Sequence, residues 1–191
     1  MAKRASIFDC ELCGTLSDGE YAFSKFGQEG GGTLSGMTAS LVPVESLDSL
    51  RAERHHVKRC TKCGTFYRYD TSYEYLVNGS EEEEELVRLA PIEAKDRMSP
   101  EEYLRVMREY EERADEAGPK LRFHVVKSLA MHYLAEGDSD AMKRLMGRHP
   151  DLTPRIMGCL KEWRGRSSDP LLAQLIREAK GERGLLAGDG G

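Results

Sequence analysis

Two short segments of the same form, CELCG at residues 10–14 and CTKCG at residues 60–64, constrain this chain more than any other feature. Each has two cysteines separated by two residues and followed by glycine, and the chain has one further cysteine, Cys159. A Cys-x-x-Cys turn points two thiolates at one ion, and the following glycine allows the tight backbone that brings amide groups towards the sulfurs. Two such turns supply four sulfurs in a tetrahedron, an arrangement that suits Zn²⁺.

Other uses of paired cysteines remain as alternatives. A thioredoxin-like redox pair needs strand–helix–strand surroundings, which neither segment has. Disulfides in a secreted scaffold favour an even number of cysteines, whereas this chain has five. An iron–sulfur cluster would also use four cysteines. We favour one Zn²⁺ ion, and because four sulfur ligands leave no open coordination position, we expect it to be structural.

The two segments resemble the knuckles of the zinc-ribbon family, in which each knuckle is carried on a β-hairpin. The chain departs from the family's usual spacing because 46 residues separate Cys13 from Cys60. We therefore interpret residues 20–50 as an insertion in the ribbon. The metal ligands that the resemblance implies are Cys10, Cys13, Cys60 and Cys63.

Three other sequence features could suggest a binding site or a ligand, but each has an ordinary structural interpretation. The stretch GQEGGGTLSG at 27–36 is expected to be a flexible loop, because it lacks the terminal Lys-Ser/Thr of a phosphate-binding loop. His55 and His56 precede the second knuckle, but two complete knuckles need no histidine ligand. Cys159 lies on the apolar face of a predicted helix, where a small core residue is expected.

Local signals predict an α+β chain, with a small split zinc-ribbon β domain followed by an α-helical HEAT-like repeat or bundle domain. The β signal is the alternation in HHVKR and TFYRYDTSYEYL, on either side of the second knuckle. Ser80, with Glu83 three residues later, predicts a capped helix whose first turn holds glutamates. The predicted regions are a zinc ribbon with an inserted loop at 6–79, an acidic connector at 80–98, a helical domain at 99–179 and a disordered tail at 180–191.

The helical region begins at Ser99-Pro100, an N-cap followed by a proline at the first helical position. Its apolar positions coincide after a shift of 30 residues, as when Val126 falls on Ile156 and Met142 on Leu172. A period of this length with two short helices per unit resembles the HEAT-like repeat family. An ordinary helical bundle with coincidental spacing is the alternative.

Composition and cysteine usage limit the cellular compartments in which we expect the protein. No apolar run approaches the ~20 residues that a membrane-spanning helix requires. The basic patch in MAKRASIFDCELCG has no apolar stretch behind it, so we do not expect a signal peptide there. With an odd number of cysteines in a compact chain, we expect a cytoplasmic, bacterial-type protein. Its net charge is -5.

The predicted function is that of a non-enzymatic adaptor or regulator that binds a protein partner, because both predicted modules present rigid surfaces. No catalytic constellation is evident in the sequence. The alternative is nucleic-acid binding through the stretch 51–69, although a pI near 5.6 argues against it. The basic and aromatic residues of this stretch are Arg51, Arg54, Lys58, Arg59, Lys62, Arg68, Phe66, Tyr67 and Tyr69.

Overall fold

The computed structural model of the chain describes residues 4–25, 28–29, 34, 38–44, 55–77 and 79–163. In this part of the chain an antiparallel sheet is followed by a layer of helices, in agreement with the predicted α+β class. The predicted tail at 180–191, and most of the glycine-rich stretch at 27–36, lie outside the described residues. No helix within these ranges has both the length and the apolar character needed to cross a bilayer.

The six described strands form one antiparallel sheet in the order β2-β1-β6-β5-β4-β3. The strands are β1 (Gly19–Lys25), β2 (Gln28–Glu29), β3 (Leu41–Pro43), β4 (His55–Cys60), β5 (Phe66–Leu76) and β6 (Gly79–Arg88). β4 and β5 form a hairpin, as the alternation on either side of the second knuckle predicts. The interval 20–50, interpreted above as an insertion, contributes β1 beside the central strand β6 and β3 at an edge of the sheet.

The run of five glutamates lies on a strand and not on a helix. β6 pairs with β1 from Glu81 to Val87, and it pairs with β5 along its whole length. The capping pattern at Ser80 favours a helix in isolation, but two ladders of hydrogen bonds and the burial of Leu86 stabilise a strand. The predicted helix start at Ser80 is therefore wrong, and residues 79–88 form a central strand where a connector was expected.

The described residues include five α-helices of five or more residues, together with two short 3₁₀ helices. The α-helices are α1 (Glu11–Thr15), α2 (Pro100–Arg113), α3 (Pro119–Glu136), α4 (Ser139–Arg148) and α5 (Thr153–Trp163); the 3₁₀ helices are Pro91–Arg97 and Ala114–Glu116. α2 begins as predicted, because the Ser99 side chain accepts a hydrogen bond from the backbone N–H of Glu102 at 3.1 Å. α3 ends at Gly137, whose φ of 75° closes the helix with a left-handed residue.

α3 is the central helix of the core and is buried around most of its circumference. It packs against α1, α2, α4 and α5. Apolar residues of α3 such as Leu129 and Val125 are fully buried, but so are the polar side chains of His124 and Ser128. Buried side chains from the N-terminal segment, the sheet and the helices form one continuous core, so the sheet and the helical layer pack on each other.

The predicted repeat is only partly within the described residues. Val126 and Ile156, which coincide after the 30-residue shift, are both buried, and so are Ala130 and Leu160. The helix predicted around residues 171–176, which would complete a second unit, lies outside the described ranges. What is shown is a helical layer, and the HEAT-like interpretation stays a prediction.

Candidate metal centre

The structure brings the four predicted ligands together. Their Sγ atoms all lie within 4.8 Å of one another, and no other group of potential metal ligands among the described residues is this close. The Sγ–Sγ distance is 3.8 Å between Cys10 and Cys60 and 3.3 Å between Cys13 and Cys63. Zn–S bonds of about 2.3 Å place sulfurs about 3.8 Å apart at the corners of a tetrahedron. The four thiols therefore fit around one ion.

The first knuckle is carried by a helix. Cys10 is the N-cap of α1 and Cys13 lies within it, while the backbone N–H of Gly14 donates to the Cys10 carbonyl at 2.8 Å. Gly14 does not have a positive φ. The expectation that both knuckles lie on β-hairpins is therefore wrong for the first, because a single helical turn also places residues i and i+3 on one face.

The second knuckle follows the expected form. It lies in the turn between β4 and β5, where the N–H of Gly64 donates to the Cys60 carbonyl at 3.0 Å. Gly64 has a φ of 85°, a conformation that side chains with a Cβ rarely adopt. A Cβ at this position would also lie 3.2 Å from the side chain of Arg4 and 3.3 Å from that of Arg59.

The shared sheet holds the two knuckles in contact. The first knuckle leads into β1 and the second joins β4 to β5, and β6 pairs with both β1 and β5. The N-terminal segment is also attached directly, because the backbone N–H of Ala5 donates to the carbonyl of Lys62 at 3.2 Å. A metal ion here would cross-link the N-terminal segment to the sheet.

Two hydroxyl groups support the sulfurs. The Tyr67 hydroxyl donates to Cys13 Sγ at 3.0 Å, and Thr65 Oγ1 lies 3.1 Å from Cys63 Sγ. Burial raises the pKa of Tyr67, so its hydroxyl stays protonated and remains a donor. Groups of this kind fix the orientation of metal ligands and adjust their basicity.

Arg88, at the end of β6, is the buried cation of the site, with an exposed fraction of 0%. One of its terminal nitrogens, Nη2, donates to the backbone carbonyls of Cys13 at 2.6 Å and Leu16 at 2.8 Å. Its Nε lies 3.4 Å from the Tyr67 hydroxyl. Zn²⁺ with four thiolates carries a net charge of about -2, so this guanidinium supplies a positive charge next to an anionic centre.

A second buried polar group adjoins Arg88. Asp18 contacts Lys127 Nζ at 2.7 Å and His124 Nδ1 at 3.1 Å, and the backbone N–H of Arg88 donates to the Asp18 carbonyl. Burial lowers the pKa of His124 to about 4, and the nearby carboxylate offsets only part of this effect. Burial by itself would raise the pKa of Asp18, but its two partners on α3 hold it below its usual value. His124 Nε2 also lies 3.2 Å from the Tyr110 hydroxyl.

Sequence reasoning missed these buried polar residues. The single available signal was the spacing of His124 and Lys127, which are two polar residues three positions apart in an otherwise apolar stretch of α3. Nothing in the local sequence indicates that Asp18 faces them or that Arg88 reaches the first knuckle, because both contacts join parts of the chain more than 70 residues apart.

The four sulfurs are close enough to affect one another's protonation. Their mutual contacts, with Cys60 and then Cys63, raise the pKa of Cys13 far above its ordinary value, and burial raises it further. A divalent metal ion reverses this effect because coordinated thiols lose their protons. The donor set therefore fits a soft metal with tetrahedral geometry.

The other histidines and the fifth cysteine lie away from this cluster. His56 is exposed on β4, and for His55 the structure describes only the backbone. His132 lies 2.9 Å from the Tyr103 hydroxyl, and His149 is buried with its Nδ1 3.2 Å from Arg122. Cys159 is half-buried on α5, where a core position was expected.

The basic and aromatic stretch 51–69 is largely engaged within the protein. Phe66 and Tyr67 are buried. Lys58 lies over the ring of Tyr69 at 3.8 Å, and Arg59 pairs with Glu102 on α2.

Two further basic residues of the stretch have acidic partners. Arg68 contacts Asp70 at 2.6 Å, and Lys62 lies 3.4 Å from Glu11. Arg51 and Arg54 lie outside the described residues.

We compared the chain with protein-family models, with curated proteins and with solved structures. None of these comparisons gave a match. The four clustered cysteines are compatible with a site of the zinc-ribbon kind, and the assignment depends on their geometry alone.

Proposed function

We propose that this chain is a non-enzymatic zinc-binding protein that acts as a protein–protein interaction adaptor or regulator. The observation that carries the proposal is the closed cluster of four buried cysteine sulfurs. Four thiolates complete a tetrahedral shell and leave no position for a substrate or an activated water. The metal therefore has a structural role, and the proposed function lies in the surfaces that it stabilises.

The spacing of the sulfurs supports a single ion over a cluster of several. The separation of 3.8 Å between Cys10 and Cys60 equals the edge of a ZnS₄ tetrahedron, and that of 3.3 Å between Cys13 and Cys63 is slightly shorter, so the sulfurs are spaced for one ion. Zn²⁺ is the ion most often bound by four cysteines in this form. Iron in the same site would give a coloured protein, whereas Zn²⁺ would give a colourless one.

The position of the centre supports a scaffolding role. It joins α1 to the β4–β5 hairpin, and Arg113 of α2 reaches back to Asp9 at 3.2 Å, beside the first knuckle. Metal binding would therefore fix the arrangement of the sheet relative to the helices. If the region 99–179 is a HEAT-like repeat, it would provide a second rigid surface for partners.

Metal content is the first test. Elemental mass spectrometry on protein purified under reducing conditions should give one zinc per chain, and a Cys60→Ser variant should lose both the zinc and the cooperative unfolding transition. A chain that stays fully folded and metal-free would refute the structural role.

The adaptor role needs a separate test. The tagged wild-type chain and its Cys60→Ser variant can be cross-linked in the native host under identical conditions and their partners quantified. The proposal predicts a defined partner that binds the wild-type chain reproducibly at fixed stoichiometry and that the variant loses. Repeated absence of any such partner would contradict it.

Nucleic-acid binding stays the alternative, and the structure gives it little support. Arg59 and Arg68 pair with carboxylates, and Phe66 and Tyr67 are buried where stacking on bases would need exposed rings. Fluorescence anisotropy with a labelled single-stranded oligonucleotide at low salt tests it directly. Salt-sensitive binding that needs Lys58 or Lys62 would favour this alternative over the adaptor.

A further inference from the structure

The four sulfurs of the metal centre are not equally protected from solvent. Cys13, Cys60 and Cys10 are 0%, 1% and 3% exposed, whereas Cys63 is 8% exposed. Of these four cysteines, Cys63 alone lines the cavity that lies between the second knuckle and α2. Oxidation of cysteine follows exposure and thiolate character, so a small oxidant reaches the centre first at Cys63.

The cavity beside Cys63 is small and its wall is largely apolar. Its volume is about 30 Å³. A water molecule needs at least about 10–15 Å³ of such space, so hydrogen peroxide, which is little larger than water, fits in it. The apolar part of the wall includes Ile7, Phe66, Leu89 and Val106.

Two arginine side chains lie beside the backbone that follows Cys63. Arg59 Nε donates to the Gly64 carbonyl at 3.1 Å, and a Cβ at Gly64 would lie 3.2 Å from the side chain of Arg4. Both guanidinium groups pair with one carboxylate, that of Glu102, so the group of three keeps a net positive charge. Positive charge beside a cysteine favours the reactive thiolate.

A second thiol lies close to Cys63 on the other knuckle. Cys13 Sγ is 3.3 Å from Cys63 Sγ, and the Tyr67 hydroxyl donates to Cys13 Sγ at 3.0 Å. Metal coordination keeps both cysteines as thiolates, and redox-sensor cysteines are often placed next to a resolving cysteine. Because Cys13 is completely buried, it is suited to react second, with an oxidised Cys63.

We propose that Cys63 is a site of oxidation by small hydroperoxides and that a disulfide between Cys63 and Cys13 then releases the zinc. This inference rests on the zinc-binding part of the proposed function, since it names how the same centre is regulated. It assigns the first disulfide to a pair that crosses between the two knuckles. A redox pair within one Cys-x-x-Cys segment would instead join Cys60 to Cys63.

The reaction has two steps. In the first, the Cys63 thiolate attacks one peroxide oxygen, the O–O bond breaks and hydroxide leaves, so Cys63 becomes a sulfenic acid. Thr65 Oγ1 lies 3.1 Å from Cys63 Sγ and lines the same cavity, where it can donate a hydrogen bond to the departing oxygen. In the second, the Cys13 thiolate attacks the Cys63 sulfur, the S–O bond breaks and a second hydroxide leaves. The two sulfurs lose two electrons, and the peroxide takes up two protons from solvent to become two water molecules.

The product keeps the two knuckles joined. Cys10 and Cys60 remain as thiolates, and two ligands are only half of the tetrahedral set, so zinc release follows. The new disulfide connects α1 to the turn between β4 and β5. The N-terminal segment therefore stays attached to the sheet by a covalent bond in place of the metal.

Disulfide mapping tests the assignment on the zinc-loaded full-length chain. Hydrogen peroxide is added, zinc release is followed with a chromogenic chelator, and free thiols are blocked at intervals with N-ethylmaleimide in denaturant. Trypsin cleaves after Lys62 and glutamyl endopeptidase after Glu11, so each of the four cysteines is recovered on its own peptide. Mass spectrometry should find the Cys13–Cys63 disulfide first, formed at the rate of zinc release. Any other first pair overturns the inference.

A cavity-filling variant tests the route to Cys63. Val106→Phe places a ring in the cavity, and the matched control Leu104→Phe places the same ring on α2 at a position that is 55% exposed and does not line it. Since thiol reactions depend on access, zinc release by peroxide should slow at least about fivefold in Val106→Phe and less than about twofold in the control. Both variants are first checked for zinc content and circular dichroism, and equal rates in all three proteins contradict the proposed route.

The wild-type chain provides the same test if Val106→Phe does not fold. tert-Butyl hydroperoxide is too large for the cavity, so it should release zinc at least about tenfold more slowly than hydrogen peroxide, after each rate is divided by that for free cysteine. Equal normalised rates would show that the cavity does not select the oxidant.

Zinc content before oxidation separates failure of this inference from failure of the proposed function. A chain that binds zinc but forms no Cys13–Cys63 disulfide, at peroxide concentrations that oxidise free cysteine, refutes this inference and leaves the zinc-binding proposal intact. A chain that binds no zinc contradicts both.

Discussion

Replacing Arg88 by methionine should weaken metal binding although the four cysteine ligands are unchanged. The substitution keeps an unbranched apolar stem that ends at about the position of Nε, and it removes the buried cation with its two terminal nitrogens. The carbonyls of Cys13 and Leu16 would each lose a donor at 2.6 and 2.8 Å, and the Tyr67 hydroxyl would lose its neighbouring Nε at 3.4 Å. The thiols themselves stay in place.

The expected magnitude follows from these contacts. Leaving two buried carbonyls without partners costs about 1–3 kcal/mol each, and part of this loss is offset because a charge no longer has to be buried. We expect the free energy of unfolding to fall by about 3 kcal/mol. Loss of a group that orients metal ligands typically weakens metal binding ~10–100-fold, and removal of a positive charge beside a dianionic centre acts in the same direction.

Competition with a chromogenic chelator measures zinc affinity and release rate, and denaturant titration of the zinc-loaded protein measures stability. Arg88→Lys should lose less affinity because it retains the charge, although one ammonium cannot replace the whole fork. Arg68→Met, an exposed position on β5, is the control and should leave zinc affinity unchanged. The reasoning is refuted if Arg88→Met binds zinc as tightly as the wild-type chain.

Three further predictions concern other parts of the centre. Removing zinc with a chelator should unfold the chain cooperatively, as seen by circular dichroism, because the ion joins distant segments; an unchanged spectrum would contradict this. His124 binds a proton more weakly when folded, so stability should fall by roughly 1.4 kcal/mol per unit as pH drops from about 6.5 towards 4. Denaturant titrations across this range should show a shallower fall for His124→Gln, and an identical slope would exclude the histidine as its source. Gly64→Ala should lower the free energy of unfolding by about 1–2 kcal/mol, because the φ of Gly64 is 85° and a Cβ would crowd two arginine side chains. Gly14 has open space around it, so Gly14→Ala should leave the free energy of unfolding nearly unchanged in the same denaturant titration.

Features encoded by short segments were predictable from the sequence. A Cys-x-x-Cys-Gly segment is a local pattern, so both halves of the metal centre could be found without knowing the fold. The start of α2 could also be predicted, because Ser99 caps the first turn of the helix and Pro100 occupies its first position. The approach of the two knuckles was inferred only from chemistry, since one tetrahedral ion needs four donors.

Features that depend on pairing between distant segments were not predictable. Ser80 and its glutamates have the local pattern of a helix start, yet β1 and β5 lie on either side of them and provide partners for every residue from Glu81 to Val87. Tertiary contacts decide whether such a segment forms a helix or a strand, and local propensity does not include those contacts. Arg88 illustrates the same limit, because nothing near it in the sequence indicates that its guanidinium reaches Cys13.

The place of β6 between β1 and β5 also determines when the metal centre can close during synthesis. Both knuckles are complete once residue 64 has been made, but the strand that aligns β1 with β5 comes only with residues 79–88. A nascent chain that stops short of β6 holds two separate pairs of reduced thiols. Long-range pairing must precede the contacts that it brings together. Metal binding by all four sulfurs should therefore follow the emergence of β6 from the ribosome. Before β6 emerges, these thiols are most accessible to oxidation or to the wrong metal.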